Sequence, residues 1–404
     1  MTGKRFLLTM LVWQLIVRAD LQADDWRGFL GNQGNPAASQ QTPPEKFSGK
    51  SNEHIAWRTS LVGRSVSGPI VVGDRVFTTS SSGMEGRWMH LFALEAETGE
   101  VIWQRSTKAT GRPYCHPTSA NAAPTPCSDG QRVFAFFSSN DLICYDLDGN
   151  IQWYRSLVAD HPLAGNDVGM SSSPLVVDGA VVVSVECQTD AFTAAYDAIT
   201  GERLWEYVRP RKANWASPRT AKCSDGRNIV IVHGLDNCVA LDPKSGSELW
   251  RLDVPCSSVA SATSTAGNLY LPARGLKVFQ LASANTVPTL NWETARLNPS
   301  SSSLVVTPFG VVGLNRSVLV CCADGELKWQ ARLPDAGQFW ATPVVAGNTL
   351  YAFAMNGKCF VVKLSEEAGE LIGEYELGDE VLGTPAVADN ALYVRATNSL
   401  WKIQ

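Results

Sequence analysis

A recurring eleven-residue pattern constrains this chain more tightly than any other feature of its sequence. Ala195–Trp205 reads AYDAITGERLW, Ala93–Trp103 reads ALEAETGEVIW, and Ala240–Trp250 reads ALDPKSGSELW. Each copy is a short apolar run, a polar turn ending in Gly, and a second run closed by Trp. Weaker copies lie at Ile143–Trp153, Val320–Trp329 and Val362–Tyr375. The closing aromatics are Trp57, Trp103, Trp153, Trp205, Trp250, Trp292, Trp329 and Tyr375, spaced 46, 50, 52, 45, 42, 37 and 46 residues apart. Repetition at this period means that one supersecondary unit is stacked many times, each copy covering a face its neighbour cannot bury alone.

A second landmark, a small residue or Pro before an apolar run, precedes each hairpin. It appears at Ser67, Ala123, Ser172, Ala216, Ser261, Ser302, Ala341 and Gly383. Eight of each landmark make eight modules. Within a module, four runs rich in Val, Leu, Phe and Tyr are separated by Gly, Asp and Asn turns, which reads as four strands. Four-stranded units at this spacing predict an all-β fold, an eight-bladed β-propeller of antiparallel blades in which each edge is hidden by the next blade. A β-solenoid is the alternative, with rungs shorter than these modules.

The termini predict how the ring closes. The last module has three strands, Gly383–Val387, Ala391–Arg395 and Leu400–Ile403, and the segment His54–Ser60 is a spare outer strand carrying Trp57. Pairing the two completes the eighth blade; counted from the hairpins, the closing module begins at Gly373. The expected organisation is a signal peptide over 1–23, a leader over 24–53 packed on the ring, and a single propeller domain over 54–404. Gly28, Gly31, Gly34 and Pro36 argue against a strand or helix in the leader, and Trp26 and Phe29 are expected to dock it onto a blade.

Lys4 and Arg5 before the apolar run Phe6–Val17, with Ala19 and Ala23 as cleavage-site residues, read as an export signal. That run is too short to span a bilayer as a helix. An exported protein of the periplasm or extracellular space is therefore expected, with no membrane span and a monomeric state. With 34 basic and 39 acidic residues, the chain has no electrostatic case for a nucleic-acid partner. Of the ten cysteines, Cys144, Cys187, Cys238 and Cys359 lie in or beside apolar runs as small hydrophobes, and Cys115 and Cys127 are the candidates for a local disulfide. Cys321 and Cys322 are adjacent in a strand, where alternation sends them to opposite faces.

The recurring turn places Asp or Glu where its carboxylate can accept backbone N–H bonds, and Gly where φ is positive. The Trp that follows is large enough to fill the space between blades, with its indole N–H reaching a neighbouring carbonyl. Trp57, Trp103, Trp153, Trp205, Trp250, Trp292 and Trp329 are thus expected to be structural docking residues. The A-x-D-x-x-T-G-x-x-x-W repeat in a closed eight-bladed ring resembles the pyrroloquinoline-quinone-type repeat, shared by quinoprotein alcohol dehydrogenases and the outer-membrane assembly propeller. The likeness spans about residues 54–403, and DDWRGFLGNQGNPAA resembles the Trp/Gly leader of non-enzymatic bacterial members. It is strong for fold and weak for function.

The dehydrogenase resemblance implies an axial pocket, a calcium ion, a catalytic Asp and a vicinal disulfide over the cofactor. Calcium wants six to eight oxygens. The long-loop face offers Glu85, Asp160, Asn166, Asp167, Glu186, Asp190, Asn214 and Asp236, scattered and without D-x-D spacing. His90, His116 and His161 fall on the same face, with Cys115 and Asp167 near them, but without zinc-ligand spacing. The serines at 171–173 and 300–303 read as blade starts rather than nucleophiles. No catalytic residue, metal or cofactor is therefore expected; the alternative is a quinone-dependent oxidoreductase using pyrroloquinoline quinone with calcium, or a degenerate small-ligand binder. The positive candidates are Tyr114, His116, Trp215, Arg219, Arg274, Phe339 and Trp340, expected around the channel mouth as a surface for a protein or an envelope polymer.

Overall fold

The computed structural model describes residues 25–404 except 33, 166, 167 and 266. The export signal therefore lies outside the described residues. Eight sheets surround one axis. Blade one comprises Ile70–Val72, Arg75–Ser82, Trp88–Glu95 and Val101–Lys108. Blade two comprises Cys127–Ser128, Arg132–Phe136, Asp141–Asp146 and Ile151–Ser156. Blades three to seven follow, with innermost strands at Leu175–Val177, Arg219–Lys222, Thr263–Thr265, Val305–Thr307 and Val344–Ala346. Blade eight is Ala386–Ala388, Ala391–Arg395 and Ser399–Ile403, completed by Ile55–Ser60 pairing antiparallel with Ser399–Ile403.

One sequence boundary shifts. Gly373 lies inside Gly369–Glu376, the outer strand of blade seven, so the closing blade begins at Ala386. The hairpin without a T-G turn, around Leu281–Trp292, belongs to blade five. All ten cysteines are free thiols. Cys127 sits in the core beside Phe134 and Cys144 rather than bridged to Cys115. Cys321 and Cys322 enter two different core clusters, as strand alternation requires.

The core lies between blades, and the repeated turn locks it. The indole Nε1 of Trp57, Trp103, Trp153, Trp205 and Trp329 donates to Ala96, Leu147, Ala198, Pro243 and Ser365 carbonyls, at 2.9–3.1 Å. Each acceptor lies in the outer turn of the following blade. Gly201 in that turn has φ +68°, and a Cβ there would stand 2.5 Å from the Trp153 ring. The glycine is thus required twice, for its backbone conformation and for the indole packed on it. The carboxylate of Asp197 accepts the Ile199 and Thr200 N–H groups at 2.9 and 2.8 Å, which shapes the turn. Trp250 faces the aberrant blade-five hairpin; it is buried, and its N–H has no partner among the described residues. Trp292 is only half-buried. Tyr375 meets Phe47 of the leader at a ring-centroid distance of 4.8 Å.

The leader does not dock on one blade. It crosses the axis on the short-turn face and bonds to the innermost strands of five blades. Trp26 exchanges 2.9 Å bonds with Val71, and Arg27 O accepts from Ser128. Gly34 O accepts from Ser264, and Asn35 both donates to and accepts from Val306. Ala37–Ala38 pairs parallel with Val345 and Ala346, giving blade seven a fifth strand against expectation. Inner-strand edges have free backbone groups facing the channel, and an extended leader satisfies them despite its glycines.

Candidate functional site

The first residues of each blade converge on the axis, and the chain there repeats a single bonding pattern. Thr125, Ser173, Ser217, Ser261, Ser303, Thr342 and Thr384 occupy equivalent positions in blades two to eight, with Gly68 in blade one. The Gly68 N–H donates to Thr125 Oγ1 at 2.9 Å, and Thr125 N–H to Ser173 Oγ at 3.0 Å. Ser173 then donates to Ser217, Ser217 to Ser261, Ser261 to Ser303, Ser303 to Thr342, and Thr342 to Thr384, at 2.9–3.1 Å. A belt of seven amide-to-hydroxyl bonds thus runs blade to blade around the axis. Proline follows the belt residue in six blades, so no further amide donor is left there without a partner, and the preceding backbone is held extended.

Extended backbone sends residues two apart to the same side. The residues two before each belt position are Val66, Ala123, Ser171, Trp215, Val259, Ser301, Trp340 and Leu382, and all eight line one axial funnel of about 400 Å³. Thr125, Ser173, Ser217, Ser261 and Thr384 form its lower tier, and Phe29 of the leader closes it beneath. Among the described residues lining the funnel there is no Asp, Glu, Lys or Arg. The two indoles stand three blades apart. Trp215 is fixed by its Nε1 donating to Gly169 O at 2.8 Å and its backbone N–H to Ser258 O at 2.7 Å.

Three of the seven sequence candidates line this funnel: Trp215, Trp340 and His116. His116 is exposed at the rim, its Nδ1 2.8 Å from Thr118 Oγ1. Tyr114 lies outside, in a separate cleft with Leu163, where the Arg112 guanidinium stacks 5.0 Å from its ring. Phe339 is a core residue packed on Phe360. Arg274 is exposed in a turn of blade five, with φ +46°.

Arg219 lies beyond the floor. Its guanidinium donates to Phe29 O and stacks 5.8 Å from the Phe29 ring, so it holds the floor in place instead of facing a ligand. Burial pulls its pKa down to about 10. The strand register explains the displacement. Arg219 follows the belt residue Ser217 by two positions, one step further down the channel.

The candidate metal ligands separate. His90 is held between the Ser82 and Ser106 hydroxyls at 2.8 Å, and burial lowers its pKa. His161 stacks on Phe192 and lies 3.0 Å from Glu206. Glu186 forms a buried pair with Arg209 at 2.9 Å; burial raises its pKa while Arg209 opposes the shift. Asp236 pairs with Lys212 at 2.5 Å, and Asn214 donates to His233 O. Asn166 and Asp167 lie outside the described residues. Among the described residues, no three His, Cys, Asp or Glu side chains converge. Sequence reasoning missed the belt, whose one visible signal was Ser or Thr before Pro at the blade starts.

The family model described as "Outer membrane protein assembly factor BamB" matches residues 45–188, 164–320 and 314–404. The polyvinylalcohol dehydrogenase of Sphingopyxis sp. (strain 113P3) is 24% identical over 276 residues, covering 57% of this chain and 40% of that protein. The outer membrane protein assembly factor BamB of Bordetella pertussis is 28% identical over 200 residues, covering 48% of this chain and 44% of its own. The chain thus spans less than half the length of either relative. The crystal structure of BamB from Moraxella catarrhalis superposes with a TM-score of 0.63 at 17% identity, over 87% of this chain and 97% of that one, a likeness of fold.

Proposed function

Since the chain belongs to the family described as outer membrane protein assembly factor BamB, we propose that it is an exported, non-catalytic propeller that holds a protein or an envelope polymer on its long-loop face. The observation that carries this reading is the funnel lining, which offers hydroxyls and aromatic faces but no Asp, Glu, Lys or Arg side chain among the described residues. A calcium–quinone pair needs several carboxylate and carbonyl oxygens for the ion. Pyrroloquinoline quinone is itself an anion that requires cationic or N–H partners. The donor set present does not fit that pair. Nor do Cys321 and Cys322, buried on opposite faces of a third strand, cover the funnel. Burial pushes both thiols up, to about 12 and about 11, which leaves them inert packing groups.

The test is a calorimetric and difference-absorbance titration of the purified protein with pyrroloquinoline quinone, with and without calcium. No saturation is expected at roughly 50 μM cofactor. One-to-one, calcium-dependent binding would replace the scaffold reading with the oxidoreductase one and call for an alcohol-oxidation screen.

A further inference from the structure

We infer that the funnel receives a neutral, polyhydroxylated ligand, the ring of a glycan, laid on Trp215 and Trp340 with its oxygens over the hydroxyl belt. This rests on the reading of the long-loop face as a binding surface and names what that surface selects.

Each hydroxyl of the belt accepts an amide N–H from the preceding blade. A hydroxyl that has accepted still carries its own proton to give away. Five such groups line the lower tier, so the funnel floor is rich in donors and selects a ligand rich in acceptor oxygens. The same lining carries no Asp, Glu, Lys or Arg side chain among the described residues, and an ionic ligand moved there from water would lose hydration without gaining a counter-charge from one. Neutral and acceptor-rich describes a sugar.

The upper tier adds the apolar half of the recognition. Where blades two, three and six place Ala123, Ser171 and Ser301, blades four and seven place Trp215 and Trp340. The Trp215 N–H is already spent on Gly169 O, so the side chain presents its ring face, fixed before any ligand arrives. The electron-rich face of an indole attracts the polarised C–H groups on one side of a pyranose, while the hydroxyls at the rim of that ring reach outward to the belt. A volume of about 400 Å³ lies in the range of small-molecule sites, roughly 300–1,000 Å³. Phe29 closes the floor, so a polymer enters by its end and does not thread the ring.

The probes are maltohexaose, cellohexaose and chitohexaose, with an oligogalacturonate as the anionic comparison and an uncharged Ser/Gly/Tyr hexapeptide amide as the polypeptide comparison. Each is titrated by calorimetry and by indole fluorescence. At least one neutral hexasaccharide is expected to bind one per chain, in preference to the anionic one. Trp340→Ala is expected to weaken binding about tenfold or more. Ser301→Trp fills the same tier from another blade and is expected to abolish it. Unchanged denaturation midpoints for the two variants keep folding out of the comparison. Silence of all three hexasaccharides at about 10 mM overturns the inference. So does saccharide binding indifferent to both substitutions, or uptake of the hexapeptide instead. Peptide uptake would leave the scaffold reading standing, whereas calcium-dependent quinone binding would remove both.

Discussion

Gly201 and Gly179 make a matched pair for testing what holds neighbouring blades together. Both have positive φ, +68° and +80°, so alanine at either is strained to a similar degree, about 1–2 kcal/mol. They differ in what a methyl group would meet. At Gly179 nothing lies within 4 Å, whereas at Gly201 the Trp153 ring stands 2.5 Å away. Trp153 is buried and tied to Ala198 O at 3.1 Å, so it cannot swing aside without giving up that bond. Overpacking of this kind costs about 1–3 kcal/mol, and the lost hydrogen bond about 1 kcal/mol. Gly201→Ala is therefore expected to destabilise by about 3–6 kcal/mol and Gly179→Ala by about 1–2 kcal/mol. Urea titrations followed by indole fluorescence would measure both. They are best compared as midpoints, because a ring of repeats need not unfold in one step. In a Trp153→Ala background the Gly201→Ala effect should shrink to that of Gly179→Ala. Equal shifts for the two glycines in the native background would refute the claim that the indole, and not the turn alone, demands glycine.

Other consequences can be checked by the same means. Ser217→Ala strips the acceptor from the buried Ser173 N–H and should cost about 1–3 kcal/mol, whereas Ser217→Thr should cost little; unfolding midpoints would show it. Gly68→Ser restores the repeat pattern on paper, yet its Cβ would sit 2.4 Å from Thr384 O, so a lower melting temperature than wild type is expected. Trp205→Phe loses a bond to Pro243 O, while Trp250→Phe loses none and removes a buried N–H without a partner among the described residues; the first should be less stable than the second by about 1 kcal/mol. His233 is buried, and desolvation, then Arg209, depresses its pKa to about 4. The unfolded chain therefore binds the extra proton first as pH falls. The stability due to neutral His233 is present above pH 6.5 and is lost down to about pH 4, an order-of-magnitude loss of about 3 kcal/mol. His233→Gln, whose amide oxygen can still accept the Ala262 N–H, should flatten that part of the stability–pH curve.

The candidate site was half legible. Trp215 and Trp340 could be picked out because they stand just before a blade start, a position that the repeat places at the channel. Phe339 shares that neighbourhood, but its side chain points the other way, into the core with Phe360. Period-two alternation separates the two, and its phase was set by the belt, whose one local trace is a Ser or Thr before Pro at several blade starts. Its bonds join residues 39 to 57 positions apart, and each hydroxyl looks in sequence like one more small residue at a turn. Arg219 shows the same difficulty from the other side. Placing it required knowing that Phe29, 190 residues earlier, would lie across the axis above it.

The sequence by itself determined the number of blades, the order of strands within them, the Trp-on-Gly joint between most of them, and the closure of the ring by its two ends. These follow from periodicity and turn chemistry, which act over a few residues and repeat in every module. Only the tertiary structure decided which face of each innermost strand looks into the channel, that the leader seals one end of it, and that the described lining of the resulting funnel holds no Asp, Glu, Lys or Arg. Those properties belong to the ring as a whole. They arise where eight separate segments and the leader meet, and contacts between residues so far apart in the chain leave no period in the sequence to read.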